Sequence, residues 1–425
     1  MGHHMTHVVV VGGGYAGVIA ANRLTQRDDV AVTLINPRPT FVHRIRLHQV
    51  VGGTHDALVD FRKVLSDRVR LLVGAVDRID PAAREVTLAG GGSSGGSSGG
   101  PSGGPSGGPS GGSGGGAVGG PVGYDYLIYA VGSGSARPDV PGAAEHAHPA
   151  ATLEEARALR ATLAEAPGHA PVTVVGAGAT GIEIAGELAE EGRDVTLVCG
   201  GLLAPALHPR ARRSVAGRLA RLGVTVLDGP GSTVTEVTGS AVRLDDGREL
   251  PSAVTVWTVG FGVPDLAARS GLRTDAVGRL LTDETLTSVD DPRVLAAGDA
   301  AAPSDLPLRM SCQTATPLGA HAADTVLARL ADKRPAPLDI GYFGQCVAVG
   351  SRAATLQIAA RDDTAKPFHL GGRPAGKIKA TALEYLTHHL ATEARKPGSF
   401  TWRFKDGSRA RRLRAKRDEA AALNH

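Results

Sequence analysis

Cysteine is scarce in this chain. Cys199, Cys312 and Cys346 are the three in 425 residues, and no two stand at the spacing of a paired redox motif or a zinc knuckle. A disulfide scaffold is thereby excluded, and a reducing, cytoplasmic setting fits. No apolar run approaches the roughly 20 residues that a spanning helix needs, which argues against integral membrane insertion. Neither sign of charge prevails: 46 Lys and Arg against 42 Asp and Glu leave a net +4, too weak to mark the body as a nucleic-acid binder. Aromatic residues make up only 4%, whereas glycine, at 58 residues, and proline, at 26, are abundant. Much of that glycine lies in one tract from Gly90 to Gly120, so the bias is local and leaves the rest of the chain able to pack. The opening Met1-Gly2-His3-His4-Met5 lacks the apolar stretch of a signal peptide and reads as the remnant of an expression tag, with Met5 the expected native start.

What the chain does have is a repeated unit. Val8 to Val11 is a β-branched run leading into Gly12-Gly13-Gly14-Tyr15-Ala16-Gly17, a helical pattern to Leu24, and a second strand, Val30 to Ile35. The same order recurs at Val172 to Val175, Gly176-Ala177-Gly178-Ala179-Thr180-Gly181, Ile182 to Glu190, and Val195 to Val198. In each copy the glycines follow a strand and open a helix, the context in which the first permits a tight turn. The second lets backbone approach a pyrophosphate, and the third lets helix and strand pack closely. The positive end of the helix faces the phosphates. Two such units mean two dinucleotides, and the economical pair is a tightly held flavin with a visiting nicotinamide.

Between Arg84 to Leu88 and Tyr124 to Tyr129, both strand-like, the Gly/Ser/Pro tract reads as a disordered loop of residues 90–120, an enlarged hairpin tip if those strands pair. Val224 to Leu227, Ala241 to Leu244 and Ala253 to Trp257 read as hairpin-rich strands that complete a nucleotide domain. Val294 to Ala301 is a buried strand ending in Gly298-Asp299, and from about Pro335 strands give way to a helix near Ala375 to Ala394 and a basic tail.

Taken in order, Gly12 to Gly17, Tyr126 to Gly132, Gly176 to Gly181, Val256 to Gly260 and Ala297-Gly298-Asp299 resemble the two-dinucleotide flavoprotein reductases. Within these, the chain looks like the type II NADH dehydrogenases and the apoptosis-inducing-factor-like oxidoreductases. The resemblance implies an α/β fold with two Rossmann-like domains, for FAD and for NAD(P)H, and a C-terminal α+β domain. The expected boundaries are 5–150 and 262–334 for the FAD domain, 151–261 for the NAD(P)H domain, and 335–425 for the C-terminal domain.

It also implies roles for single residues. Gly12, Gly14, Gly17 and Gly132 would line the FAD site, Asn36 would meet the adenosine ribose where relatives often carry an acid, and Gly298 with Asp299 would hold the ribityl or phosphate portion. Asp299 equally suits a helix N-cap. Gly176, Gly178 and Gly181 would hold the nicotinamide dinucleotide. Glu183 would lie near nicotinamide and flavin, although a carboxylate in a first helical turn is also favoured by the helix dipole; Glu187 follows one turn later on the same face. Gln313 matches the first glutamine of the family's flavin and quinone segment, with Pro317 where a second glutamine belongs and Cys312 where an alanine does. Arg46 or His48 would steady the charge of the reduced flavin, and Lys379 would approach it from the C-terminal domain.

The nicotinamide preference stays open. Cys199-Gly200 stands where an acid would read a ribose, and Arg210, Arg212 and Arg213 offer charges for a 2′-phosphate. From Arg395 to Arg417 the chain carries ten basic residues against Asp406, interleaved with Phe400, Trp402 and Phe404, a surface for peripheral contact with anionic membrane. The expected activity is hydride transfer from NAD(P)H to FAD and onward delivery to a quinone or quinone-like acceptor, without a metal. A soluble reductase of a protein or another small molecule, and a redox-sensing flavoprotein of low turnover, are the alternatives.

Overall fold

A computed structural model describes residues 5–90 and 120–423. The centre of the Gly/Ser/Pro tract therefore lies outside the described residues. Its described flanks are close neighbours: Glu85–Leu88 pairs antiparallel with Val122–Gly123. Tyr126–Tyr129, expected as the tract's hairpin partner, instead enters a parallel sheet, because its uninterrupted Leu127-Ile128-Tyr129 run suits a strand covered on both faces.

Two parallel five-stranded sheets organise the molecule. The first runs in the order Val294–Ala296, Tyr126–Tyr129, Thr6–Val11, Val30–Asn36, Val69–Val73. It thus takes strands from both ends of the chain segment that forms the second. The second runs Ala147–Pro149, Val254–Trp257, Val172–Val175, Val195–Val198, Thr225–Leu227. Here the hairpin expectation is corrected in part: Thr225–Leu227 and Val254–Trp257 are parallel strands of this sheet. Only Val234–Val237, Ala241–Leu244 and Glu249–Pro251 form an antiparallel meander, and the turn at Asp245-Asp246-Gly247 sits within it.

Val8, Val9 and Val10 are fully buried, as is most of helix Tyr15–Leu24, which is sandwiched between the first sheet and helix Cys312–Leu330. After that helix come three antiparallel strands, Gly344–Ala348, Ala354–Ala359 and Ala365–Gly372, then helices Arg373–Arg395 and Arg409–Leu423. Arg23 joins the parts. Its guanidinium binds Asp324 at 2.9 Å and the fully buried Glu393 at 2.8 Å, and Glu393 also accepts from Gly398 N and Phe400 N. That buried ion pair clamps helix Arg373–Arg395 onto the first nucleotide unit.

Candidate functional site

The two glycine loops are close copies in space. Gly12 and Gly176 have φ of +106° and +111°, which only glycine adopts without strain. A Cβ on Gly17 would stand 1.8 Å from Gly12 O, and one on Gly181 would stand 1.9 Å from Gly176 O. At Gly14 and Gly178, by contrast, nothing lies within 4 Å of where a Cβ would be. Each of these two glycines precedes a helix that has no side-chain cap, so the first-turn N–H groups remain for an anion. Both loops therefore fit a pyrophosphate.

Around the first loop, Asn36 Oδ1 accepts from Gly13 N at 2.9 Å and its Nδ2 donates to Arg38 O at 2.7 Å, so its amide braces the loop from below. Gly132 has φ +73° and is followed by Ser133, whose hydroxyl donates to Asp299 Oδ2 at 2.7 Å. Asp299 lies in the short 3₁₀ turn Gly298–Ala300, opened by Gly298 at φ +70°. Arg44 completes this group: it donates to Ser133 Oγ at 2.8 Å, stands 3.5 Å from Asp299 Oδ2, and lies over the Phe261 ring at 5.5 Å. Sequence reasoning singled out Arg46, which points elsewhere, to Glu384 at 2.5 Å and Gln49 at 3.0 Å. Both arginines belong to one 3₁₀ turn, Arg44–Arg46, and nothing in its sequence separates them.

Tyr15, next to Gly14, bonds His43 Nδ1 at 2.6 Å, and His43 Nε2 lies 3.2 Å from Leu383 O. A carbonyl only accepts, so Nε2 carries the ring proton and Tyr15 donates to Nδ1. Burial, then the Arg46 charge, pushes His43 down to about 4 and keeps it neutral.

Glu183, Lys379 and His48 come together in a second, deeper group. Glu183 Oε1 takes the Lys379 ammonium and accepts from Ala348 N at 3.0 Å; Oε2 is 3.3 Å from His48 Nδ1. Across the same imidazole, Nε2 is 4.0 Å from Glu187 Oε1, and Thr54 donates to Glu187 Oε2 at 3.3 Å. Burial alone would raise the Glu183 carboxyl, yet the Lys379 ammonium holds it below the usual range. Glu187 lacks such a cation, so burial, with Glu190 beside it, pushes it up to about 7. His48 is driven down to about 4, chiefly by burial. The i, i+4 spacing of Glu183 and Glu187 puts both on the helix face that meets His48, but the opposite shifts of the two acids arise from tertiary neighbours.

Gln313 Nε2 donates to Gly344 O at 3.0 Å and its Oε1 accepts from Phe343 N at 3.3 Å, tying helix Cys312–Leu330 to the C-terminal strands. Pro317 lies inside that helix and has no N–H to offer Gln313 O. Cys312 and Cys346 are both pushed up to about 11 by burial and are thiols, not thiolates, at neutral pH. The Lys379 charge lowers the Cys312 thiol and the Asp299 charge raises it, both against the larger effect of burial.

The basic tail is docked. Arg409 binds Glu284 at 2.8 Å, Lys416 binds Asp305 at 2.5 Å, and Arg412 pairs with Asp406. Phe400 is buried, Trp402 Nε1 donates to Gly341 O at 3.0 Å, and Arg361 caps the Phe404 ring at 4.5 Å. These aromatics are therefore packing residues, while Arg403, Lys405, Arg411, Arg414 and Arg417 face solvent. Among the described residues no helix is long and apolar enough to cross a membrane.

The sequence pattern of the pyridine nucleotide-disulphide oxidoreductases matches residues 6–323. An NADH dehydrogenase-like protein of Mycobacterium tuberculosis is 30% identical over 385 residues, covering 82% of this chain and 87% of its own. The type II NADH:quinone oxidoreductase Ndh of the same organism is 28% identical, over 83% of this chain and 78% of its own. Among solved structures, NDH2 of Plasmodium falciparum in complex with NADH superposes with a TM-score of 0.72 at 14% identity, covering 94% of this chain and 99% of its own. The sulfide:quinone oxidoreductase of Aquifex aeolicus superposes with a TM-score of 0.70 at 18% identity, covering 91% and 92%. At these identities the structural likenesses show a shared fold.

Proposed function

The chain belongs to the pyridine nucleotide-disulphide oxidoreductase family, and from that premise we propose that it delivers electrons from NADH to a quinone or quinone-like acceptor. It is an FAD-dependent oxidoreductase, and NADH is its electron donor. FAD, when bound, supplies the capacity to accept a hydride and release its electrons to a second substrate. The chain supplies position and charge. Gly12, Gly14 and Gly17 with Gly132, Gly298 and Asp299 form the FAD cradle, in a domain of residues 5–150 and 262–334. Gly176, Gly178 and Gly181 receive NADH in a domain of residues 151–261, and residues 335–425 close over the flavin side.

The observation that carries the quinone reading is the buried Lys379–Glu183 pair with His48 against it. Quinone reduction consumes protons along with electrons. Of the three groups the Lys379 ammonium is the one that carries a proton at neutral pH, and from this largely buried position it can hand that proton on with little water at the site, Glu183 and the neutral His48 holding it in place. The names of the relatives support the same acceptor. A steady-state panel on FAD-loaded protein tests it: rapid NADH oxidation with soluble quinones is the expected result, and turnover confined to other acceptors would overturn it. A reductase of a protein or another small molecule is the second reading, favoured by the engagement of both Gln313 amide ends with backbone at Phe343 and Gly344. The site of action we propose is the cytoplasmic side, with peripheral membrane contact confined to the solvent-facing basic residues of the tail.

A further inference from the structure

The nicotinamide unit lacks an acid where a dinucleotide ribose is ordinarily read, at the end of its second strand; Cys199 stands there, following Val195–Val198. Burial, reinforced by the charge of Asp228, pushes the Cys199 thiol up to about 12, so it offers no anion to a hydroxyl. Yet the next strand, Thr225–Leu227, lies parallel alongside, with Leu197 opposite Val226 and Val198 opposite Leu227. The ladder continues one step beyond the strands, Cys199 N donating to Leu227 O at 2.9 Å. Asp228 is therefore the neighbour of Cys199 on the carboxyl edge of the sheet, displaced by one strand spacing of about 4.8 Å.

The turns that follow the two strands leave open space at their glycines. Where a Cβ would stand on Gly200, Gly201 or Gly229, nothing lies within 4 Å. The two turns are laced together by backbone and one hydroxyl: Gly200 N donates to Ser232 O at 3.1 Å, Gly201 N to Ser232 Oγ at 2.9 Å, and Ser232 Oγ to Gly229 O at 2.7 Å. Asp228 itself is exposed, and among the described residues its carboxylate has no hydrogen bond or ion pair. The acid thus borders an open, glycine-lined bay on the same sheet edge as the Gly176–Gly181 loop, where ligands of parallel α/β sheets sit.

We propose that Asp228 is the ribose-reading acid of this protein, accepting hydrogen bonds from the adenosine hydroxyls and thereby selecting NADH over NADPH. The assignment rests on the NADH reading above. A carboxylate accepts from a 2′-hydroxyl and repels a 2′-phosphate, so one residue accounts for both halves of the preference. Arg210 and Arg213, solvent-facing on helix Pro209–Arg221, are the residues that a preference for the phosphate would implicate.

The test is binding of NAD⁺ and NADP⁺ to the FAD-loaded protein, followed by calorimetry without turnover, in the parent, Asp228→Asn and Cys199→Glu/Asp228→Asn. The parent is expected to favour NAD⁺, and Asp228→Asn to weaken NAD⁺ about tenfold, the scale of one hydrogen bond to a charged group, without weakening NADP⁺. The double variant, with its acid moved back one strand, is expected to regain preference for NAD⁺. NAD⁺ binding indifferent to Asp228→Asn would overturn the assignment alone, whereas a parent preference for NADP⁺ would count against the NADH reading as well. A flavin-loaded parent that binds neither nucleotide would overturn the NADH reading and this assignment with it.

Discussion

The two dinucleotide units share a loop and differ in what surrounds it. Their glycines adopt matching φ angles and the same close approaches, 1.8 and 1.9 Å for the missing Cβ atoms of Gly17 and Gly181. The first loop is enclosed. Its helix is buried from Tyr15 to Leu24, Asn36 braces it, Tyr15 bonds His43, and the Arg23–Glu393 pair ties helix Arg373–Arg395 to the far end of the loop's own helix. The second loop opens at its adenosine end onto bare glycines and the solvent-facing Asp228. In the proposed function, one backbone solution would serve a retained cofactor at the first loop and an exchanging one at the second, the cover supplied by distant segments making the difference.

The comparison breaks most severely at the third glycines. Gly17→Ala forces a methyl into Gly12 O and is expected to yield protein with little bound flavin, at a cost on the order of 3 kcal/mol or more, read from the flavin-to-protein absorbance ratio. Gly181→Ala is expected to retain yellow FAD and lose reduction by NADH; equal flavin loss in both variants would show that the units are not separable.

Glu183→Gln comes next. It is expected to slow flavin reduction in stopped flow while FAD stays bound, and to cost roughly 3–5 kcal/mol of stability because Lys379 is left as an uncompensated buried charge. Adding Lys379→Met is expected to restore the melting temperature without restoring the rate. Recovery of both would reduce the pair to a structural tie.

A smaller effect separates the two acids of helix Ala179–Glu190. Glu187 rises from 4.5 to about 7 on folding, so between those values the folded protein holds a proton that the unfolded chain has released. Stability falls as pH rises through that window, by up to about 3 kcal/mol. His48 works in the opposite direction: its folded value of about 4 lies below 6.5, so its contribution is complete above 6.5 and is lost as pH falls toward 4. Glu187→Gln is expected to make stability, measured by denaturant unfolding, rise more steeply between pH 4.5 and about 7, because the opposing contribution of His48 then stands alone. An unchanged slope over that window would place the titrating group elsewhere.

The least effect is expected at the tail. Its exposed arginines and lysines should give salt-sensitive sedimentation with anionic vesicles, at about 1 kcal/mol per basic residue near the surface. Trp402→Ala is expected to lower the melting temperature without altering that sedimentation, since the indole is bonded inward to Gly341 O. Equal sedimentation with neutral vesicles at low salt would remove the membrane surface from the proposal.

Much of the fold was legible because it is local. A β-branched run, a glycine turn and a helical period within about 30 residues specify a βαβ unit with little help from elsewhere, and both units read from the sequence are present in the structure. The aromatics of the tail misled for a related reason: alternation with basic residues resembles a membrane-facing surface until Gly341 and Arg361 are seen against them. Thr225–Leu227 misled because a three-residue apolar strand carries no sign of whether its partner runs parallel or antiparallel.

The two nucleotide units, the order of the segments and the place of Glu183 and Glu187 on one helical face follow from residue spacing along the chain. That Arg44 and not Arg46 reaches Asp299, that Lys379 lowers Glu183 while burial raises Glu187, and that Asp228 lies beside Cys199 emerge from the packing of distant segments. Those outcomes depend on the direction of a side chain and on charge and solvent exclusion contributed by residues far away in the chain. Electrostatic energies at a few ångströms are set by that surrounding geometry, which no pattern of residues along one segment encodes.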